Sequence, residues 1–283
     1  MTDSYYPKSL SEALELRRET GAIPFAGGTD LMVRFRAQAG TLPKLPHPVL
    51  FLGHLEELRQ ISMDSSGTHI GASALLSDIG VSEHVHPMLS ETVMLMASPP
   101  LRNLATLAGN IGNASPAGDA VCSLIALDAS VVLASLSGER TLLLEEFITG
   151  PGKTVMKSDE FIREIVVPAD QPDRYWYRKV GTRKANALSK LSLSAMATVH
   201  EHRVHEFRAA FGAVGPVVIR RRDLEAQVRG MTLDQLSRET EGIVDAYRPH
   251  IIPIDDQRSQ AVYRLQASLN LLRRWIDLLM QGG

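Results

Sequence analysis

The residues able to do chemistry in this 283-residue chain are concentrated in two glycine-containing segments. The first is Pro24-Phe25-Ala26-Gly27-Gly28-Thr29-Asp30-Leu31; the second runs from Leu101 to Asp119, with Thr106-Leu107-Ala108-Gly109-Asn110 near its centre and Ser115-Pro116 towards its end. Glycine lets a backbone approach an anion closely, and successive N–H groups in such turns form anion-binding concavities. Thr29, Thr106, Asn110 and Ser115 can add side-chain hydrogen bonds. A tight turn explains either segment alone. Two of them, carrying little cationic charge, point to a diphosphate held mainly by backbone. Asp119 then suits a sugar hydroxyl, since a carboxylate beside a phosphate is repelled. The chain has no G-x-G-x-x-G, which places such a dinucleotide outside the Rossmann plan.

Other candidates carry less. Gly150-Pro151-Gly152-Lys153-Thr154 resembles the end of a Walker loop, but Phe147 stands where that loop needs glycine. His200, His202 and His205 lack the spacing of a zincin, and a strand turning back on itself explains them as well. Asn113-Ala114-Ser115 is a chance glycosylation match, and Arg220-Arg221-Arg222 reads as a solvated helix start. The single cysteine, Cys122, lies in an apolar helical run and reads as a small buried hydrophobe. One cysteine builds neither a four-thiolate iron–sulfur cluster nor an internal disulfide, so redox chemistry here requires an organic cofactor or another chain.

Helices and strands alternate around these segments. Ser9 and Glu12 form a capping box for a helix that Gly21 ends. Strands are expected at 22–25, 49–52 and 69–72, with a short helix around 55–58. A helix over 88–97 stops before Pro99-Pro100, which disfavours αR at Ser98. Residues 103–118 read as a loop, with Ser115-Pro116 as N-cap and first turn of the next helix. Strands follow at 130–136, 140–144 and 160–168. The polar stretch 169–174 is a candidate boundary. Three antiparallel strands and helices near 220–229, 232–246 and 257–280 come after it, the last placing Val262, Leu265, Leu269, Leu272 and Ile276 on one face. This is an α+β layout.

Lys and Arg total 30 against 32 Asp and Glu, a net charge of −2 that argues against nucleic acid as the main partner. No apolar run approaches a membrane span, and the N-terminal residues show no secretory signal, which predicts a cytoplasmic protein.

The segment AGGTDLM (26–32), followed by RNLATLAGNIGNASPAGD (102–119) and LIALDA (124–129), resembles the FAD-binding medium subunit of molybdenum hydroxylases. That family includes the flavin subunits of xanthine, nicotinate and carbon monoxide dehydrogenases. TGPGK (149–153), EIVVP (164–168), YRKVGTRKANALSK (177–190) and DQRSQAVYR (256–264) follow in family order, so the resemblance spans nearly the whole chain. It implies a p-cresol-methylhydroxylase-type FAD domain over 1–170, with subdomains of about 1–54 and 55–170. A C-terminal domain of antiparallel sheet and helices would follow over 171–283. It implies non-covalent FAD, cradled at the diphosphate by Ala26–Asp30 and Thr106–Asn110, with Pro24, Phe25, Leu31 and Ser115 in the same cofactor-binding set. Asp119 would hold a sugar hydroxyl, Ile162 would lie against the flavin ring, and Lys179 would sit near its polar edge. The molybdenum cofactor would belong to a large partner subunit and two [2Fe–2S] clusters to a small one. Electrons would reach FAD from those clusters and leave to NAD or another acceptor. The family usually has two glycines in the second loop; here they are Ala108-Gly109, which weakens FAD binding if position 108 needs a positive φ or close phosphate approach. Pro99-Pro100 also replaces the more usual polar pair. Two alternatives are a self-sufficient flavin oxidoreductase using Tyr175, Tyr177 and Arg183, and a non-catalytic flavin- or nucleotide-binding module.

Overall fold

The computed structural model describes residues 3–36, 38, 40, 41, 44–183 and 186–281. Lys184 and Ala185 of the 177–190 motif lie outside the described residues. The chain divides into two compact units. One comprises Met1–His86, Ala97–Ala114 and Ala129–Ala169; the other comprises Pro87–Met96, Ser115–Asp128 and Asp170–Gly283. The expected division near residue 170 is a single cut, whereas the second unit also takes in two earlier segments that carry the helices Pro87–Met94 and Asp119–Ala126.

In the first unit, strands β1 (Ser4–Tyr5), β2 (Ile23–Phe25) and β3 (Val49–Phe51) form a parallel sheet in the order β1-β3-β2. The helix Leu10–Thr20 crosses between β1 and β2. Ser9 Oγ accepts from the Glu12 N–H at 3.2 Å, and Gly21 ends the helix in the left-handed region at φ 63°. The expected capping box is only half made, because the Glu12 carboxylate accepts from the N–H of Lys8 instead of that of Ser9. Arg17 is buried and donates to the carbonyls of Ala22 at 2.7 Å and Glu160 at 3.2 Å, which pins the entry to β2. Ala13, Leu50, Leu52, Leu58 and Phe161 form the core beneath.

A second, antiparallel sheet of the first unit joins β4 (Ile61–Met63), β5 (Gly67–Gly71), β6 (Ser130–Ser135), β7 (Gly138–Leu143) and β10 (Phe161–Pro168) in the order β4-β5-β10-β6-β7. A short hairpin, β8 (Ile148–Gly150) with β9 (Lys153–Thr154), occupies the Walker-like stretch. Residues 103–118 are not the continuous loop expected. Pro99–Arg102 and Leu107–Gly112 are short helices, the second started by Thr106, whose Oγ1 accepts from the Gly109 N–H at 3.1 Å. Ser98 is extended, as the following proline requires.

The second unit is built on an antiparallel sheet, β11 (Arg174–Gly181), β12 (Ser189–His200), β13 (Arg203–Gly212) and β14 (Ile219–Arg220), in sequential order. Side chains alternate along a strand, and both faces of β12 are covered. Leu191, Leu193, Ala195 and Ala197 join Phe207, Ala209 and Phe211 in a core with the helices Leu233–Tyr247 and Ala261–Met280. The alternate residues Ser192, Ser194 and Met196 are also buried, and Ser194 Oγ lies 3.0 Å from Ser123 Oγ on the helix Asp119–Ala126. Ser123 Oγ is in turn 2.6 Å from Thr92 Oγ1 on Pro87–Met94. Glu201 and His202, both at positive φ, turn β12 into β13, which accounts for the histidine spacing.

Three expectations are corrected here. Ser115-Pro116 does not start the helix: the Gly118 N–H donates to the Ser115 carbonyl at 2.9 Å, closing a turn, and Gly118 is the N-cap. Val262 is 78% exposed, in the first turn of its helix, although Leu269, Leu272 and Ile276 are buried as expected. Arg220 is not solvated. Its side chain is 1% exposed and pairs with Glu225 at 2.9 Å and Asp128 at 2.7 Å.

Candidate functional site

In the first unit the two glycine segments meet backbone to backbone. A Cβ on Gly27 would fall 1.8 Å from the Leu104 carbonyl oxygen and 3.0 Å from Ala105 Cα. The segment Leu104–Ala105 leads directly into Thr106. Gly28 sits at φ 65°, where a Cβ is strained, and a Cβ there would fall 2.1 Å from the tip of the Phe25 ring. Phe25 is braced by Phe51, ring centroids 4.8 Å apart, and Phe51 stacks on Tyr6 at 4.6 Å. The glycines therefore serve first to let the two segments close on each other. The loop then enters the helix Leu31–Arg34, where the Met32 N–H donates to the Gly28 carbonyl and the Arg34 N–H to that of Asp30, both at 2.9 Å.

The second segment is anchored by the Leu76 N–H, which donates to the Ala105 carbonyl at 2.9 Å, and by the Thr106 cap. Leu107, Ala108 and Ile111 turn inward and are buried, while Gly109 and Gly112 are exposed. Helix geometry provides no intrahelical carbonyl for the first N–H groups, those of Leu107 and Ala108. A Cβ on Gly112 would approach Ile162 Cδ1 at 3.8 Å, so Ile162, at a register shift in β10, lies beside this bare helical surface. Asn110 Oδ1 is buried and has no hydrogen-bond partner among the described residues. A buried acceptor of this kind calls for a donor, and a ligand hydroxyl is one. Ala108 lies inside the helix Leu107–Gly112, so the position does not call for a positive φ.

The second unit brings Asp119 and Lys179 together. They are sixty residues apart in sequence, yet Lys179 Nζ donates to Asp119 Oδ2 at 2.6 Å, and each side chain is only 8% exposed. Register explains this. Tyr177 pairs with Ser194 and Lys179 with Ser192, so both point to the sheet face covered by the helix that Asp119 begins. Ser189 Oγ donates to Asp119 Oδ1. Burial pushes the Tyr177 phenol well above its ordinary value, and the Asp119 carboxylate adds to the shift. Burial likewise pushes the Cys122 thiol up to about 11, and its Sγ donates to the Ala210 carbonyl at 3.2 Å. Ser115 accepts from the Ala117 N–H at 3.3 Å within its turn. Arg183 donates to the Asn186 carbonyl at 2.6 Å, whereas Tyr175 shares a strand face with Tyr177 and Lys179. Reading the sequence missed Ser189: strict alternation groups it with Leu191 and Leu193, and the register shift at Val180/Gly181, where Gly181 pairs with Ser189, is set by strand pairing that nothing local in the sequence marks.

These features fit a dinucleotide. Two segments converge through glycine, bare helical surface lies beside a buried isoleucine, and an acceptor lacks a donor. The comparisons agree. Residues 1–170 match the family model of the FAD binding domain in molybdopterin dehydrogenase, and residues 176–279 match the CO dehydrogenase flavoprotein C-terminal domain. The chain belongs to this family of FAD-binding molybdopterin dehydrogenase flavoproteins and is an oxidoreductase subunit. It is 32% identical to the nicotinate dehydrogenase FAD-subunit of Eubacterium barkeri over 198 residues, a match covering 65% of this chain and 64% of that one. It is 27% identical to the carbon monoxide dehydrogenase medium chain of Hydrogenophaga pseudoflava over 276 residues, covering 96% and 94%. A solved structure of carbon monoxide dehydrogenase from the same organism superposes with a TM-score of 0.87 at 26% identity, covering 96% of this chain and 95% of that one. The expected fold class is the one found. Among the described residues, no helix is long and apolar enough to cross a membrane.

Proposed function

We propose that this chain is the electron-transferring flavoprotein subunit of a molybdenum hydroxylase complex. Bound FAD would accept electrons from [2Fe–2S] clusters on a small partner subunit and release them to NAD or another acceptor, while a large partner subunit carries the molybdenum cofactor. The observation that carries this reading is the closure of the two glycine segments at Gly27 and Leu104, beside an Asn110 oxygen that lacks a donor. Ala26–Asp30 and Thr106–Asn110 hold the diphosphate through backbone N–H groups, and Pro24, Phe25, Leu31 and Ser115 belong to the same cofactor-binding set. Ile162 supplies an apolar surface for the ring. Asp119 takes a sugar hydroxyl on the lone pairs that Lys179 and Ser189 leave over, and Lys179 brings a fixed cation to the cofactor's polar edge. The helical setting of Ala108 answers the positive-φ half of the departure that favoured a non-catalytic module.

The test is direct. The full chain incubated with FAD and precipitated with acid should release all of its flavin into solution, as FAD and not FMN. A folded chain that stays colourless in excess FAD overturns the assignment.

A further inference from the structure

The segment after the helix Leu233–Tyr247 has no part in the site so far, yet hydrogen bonds connect it to Asp119. Arg264 is 1% exposed, and its Nη2 donates to Asp256 Oδ1. Arg258 Nε donates to Asp256 Oδ2 at 2.9 Å, and the Arg258 N–H donates to Asp256 Oδ1 at 2.8 Å. These two arginines hold the Asp256 carboxyl well below the usual carboxylate range, Arg264 contributing first. The third nitrogen of the Arg258 guanidinium, Nη1, donates to the Ser189 carbonyl at 3.3 Å. Ser189, 1% exposed, turns its hydroxyl to Asp119 Oδ1. The path therefore runs from the buried end of Arg264 through Asp256 and Arg258 to Ser189, and from there to the Asp119–Lys179 pair.

We propose that Ser189 and Arg258 are positioning residues for Asp119. Arg258 clamps the backbone of Ser189, and the Ser189 hydroxyl occupies one oxygen of Asp119 so that the other faces Lys179. A carboxylate held by one donor alone is free to turn about its Cβ–Cγ bond and out of the plane in which Oδ2 meets the lysine. The serine donor removes that freedom, and Arg258 removes the serine's. The site residue that this makes most sensitive is Asp119, and the group to which it answers is the cofactor's sugar. The inference rests on the reading above, in which Asp119 serves the cofactor.

The experiment titrates FAD into the full chain by flavin fluorescence, comparing the parent with Ser189→Ala, Ser189→Thr, Arg258→Gln, Asp119→Asn and the double variant Asp119→Asn/Ser189→Ala. Ser189→Ala is expected to weaken FAD binding about tenfold, as loss of one hydrogen bond to a charged group does. Arg258→Gln should weaken it by a similar factor, and Ser189→Thr, which keeps the hydroxyl, should restore affinity to within about twofold. In the Asp119→Asn background, Ser189→Ala should have no further effect, a coupling that a merely structural serine would not show. Full additivity of the two changes, or parental affinity in both Ser189→Ala and Arg258→Gln, overturns the positioning role while leaving the cofactor reading intact. Parental affinity in Asp119→Asn overturns both.

Discussion

At Gly27 a single added methyl group would meet a backbone carbonyl at 1.8 Å, and no rotamer change relieves a contact with backbone. Gly27→Ala must therefore pry the two glycine segments apart, and it is expected to abolish FAD binding in a fluorescence titration. Gly28→Val acts differently. It carries a left-handed φ penalty of ~1–2 kcal/mol and displaces the Phe25 ring, which Phe51 braces from the other side. We expect it to lose FAD binding too, while far-ultraviolet circular dichroism stays parental; undiminished binding would remove this loop from the site. The motif advertised glycine at both positions, but its reason lay out of view. Sequence gives the need for a missing Cβ, whereas the identity of the group that takes its place, Leu104 at one position and Phe25 at the other, is set by tertiary packing. Asp119 and Lys179 were legible singly for the same reason, and their pairing follows only from the strand register that places Lys179 opposite Ser192.

Among elements, the helix Asp119–Ala126 is tied at its far end by a charge cluster. Asp128 accepts from Arg220 at 2.7 Å and from Arg222 at 2.6 Å, and pairs with Arg208 at 3.0 Å. Burial raises the Asp128 carboxyl, but the arginines outweigh it and hold the group below its ordinary value. A carboxylate depressed on folding contributes stability above its unfolded pKa, near 3.9, and loses it as pH falls through the folded value. Asp128→Asn should lower stability at neutral pH by about 1–3 kcal/mol and flatten the decline of Tm below about pH 4. An unchanged acid limb in thermal melts would show that the cluster is not what titrates. The arginine run read as solvated because charge runs usually are; its partners Glu225 and Asp128 lie five and ninety-two residues away from Arg220. Local signals fared better. The Gly21 stop, the extended Ser98 and the β12–β13 hairpin each follow from chemistry within a few residues. The Leu107–Gly112 helix was missed because its two glycines and one asparagine disfavour a helix that the Thr106 cap and three buried apolar side chains nonetheless sustain. Thr106→Ala should therefore cost ~1 kcal/mol and weaken FAD binding more than it lowers Tm, both measurable on the same sample.

For the whole molecule, the division of labour between chains is the testable point. Purified alone and free of molybdenum and iron, the chain should show no anaerobic bleaching of its flavin band with purines, aldehydes or N-heterocycles. Reconstituted with a molybdenum chain and an iron–sulfur chain, it should bleach with the substrate of the complex. Substrate-driven bleaching of the isolated chain would identify a self-sufficient flavoenzyme instead. The broad architecture was readable in advance because its strands are apolar, regularly spaced and punctuated by proline and glycine. The return of residues 87–96 and 115–128 to the second unit was not, since nothing local marks which sheet a helix will cover.

The sole thiol offers a practical use. Cys122 is fully buried, and burial holds it protonated at ordinary pH, so a disulfide reagent can reach it only when the helix Asp119–Ala126 lifts from β12 and β13. With no second cysteine to confuse the signal, the rate of labelling in native buffer clocks that opening. Run with and without FAD, one absorbance trace tells whether the cofactor slows that opening.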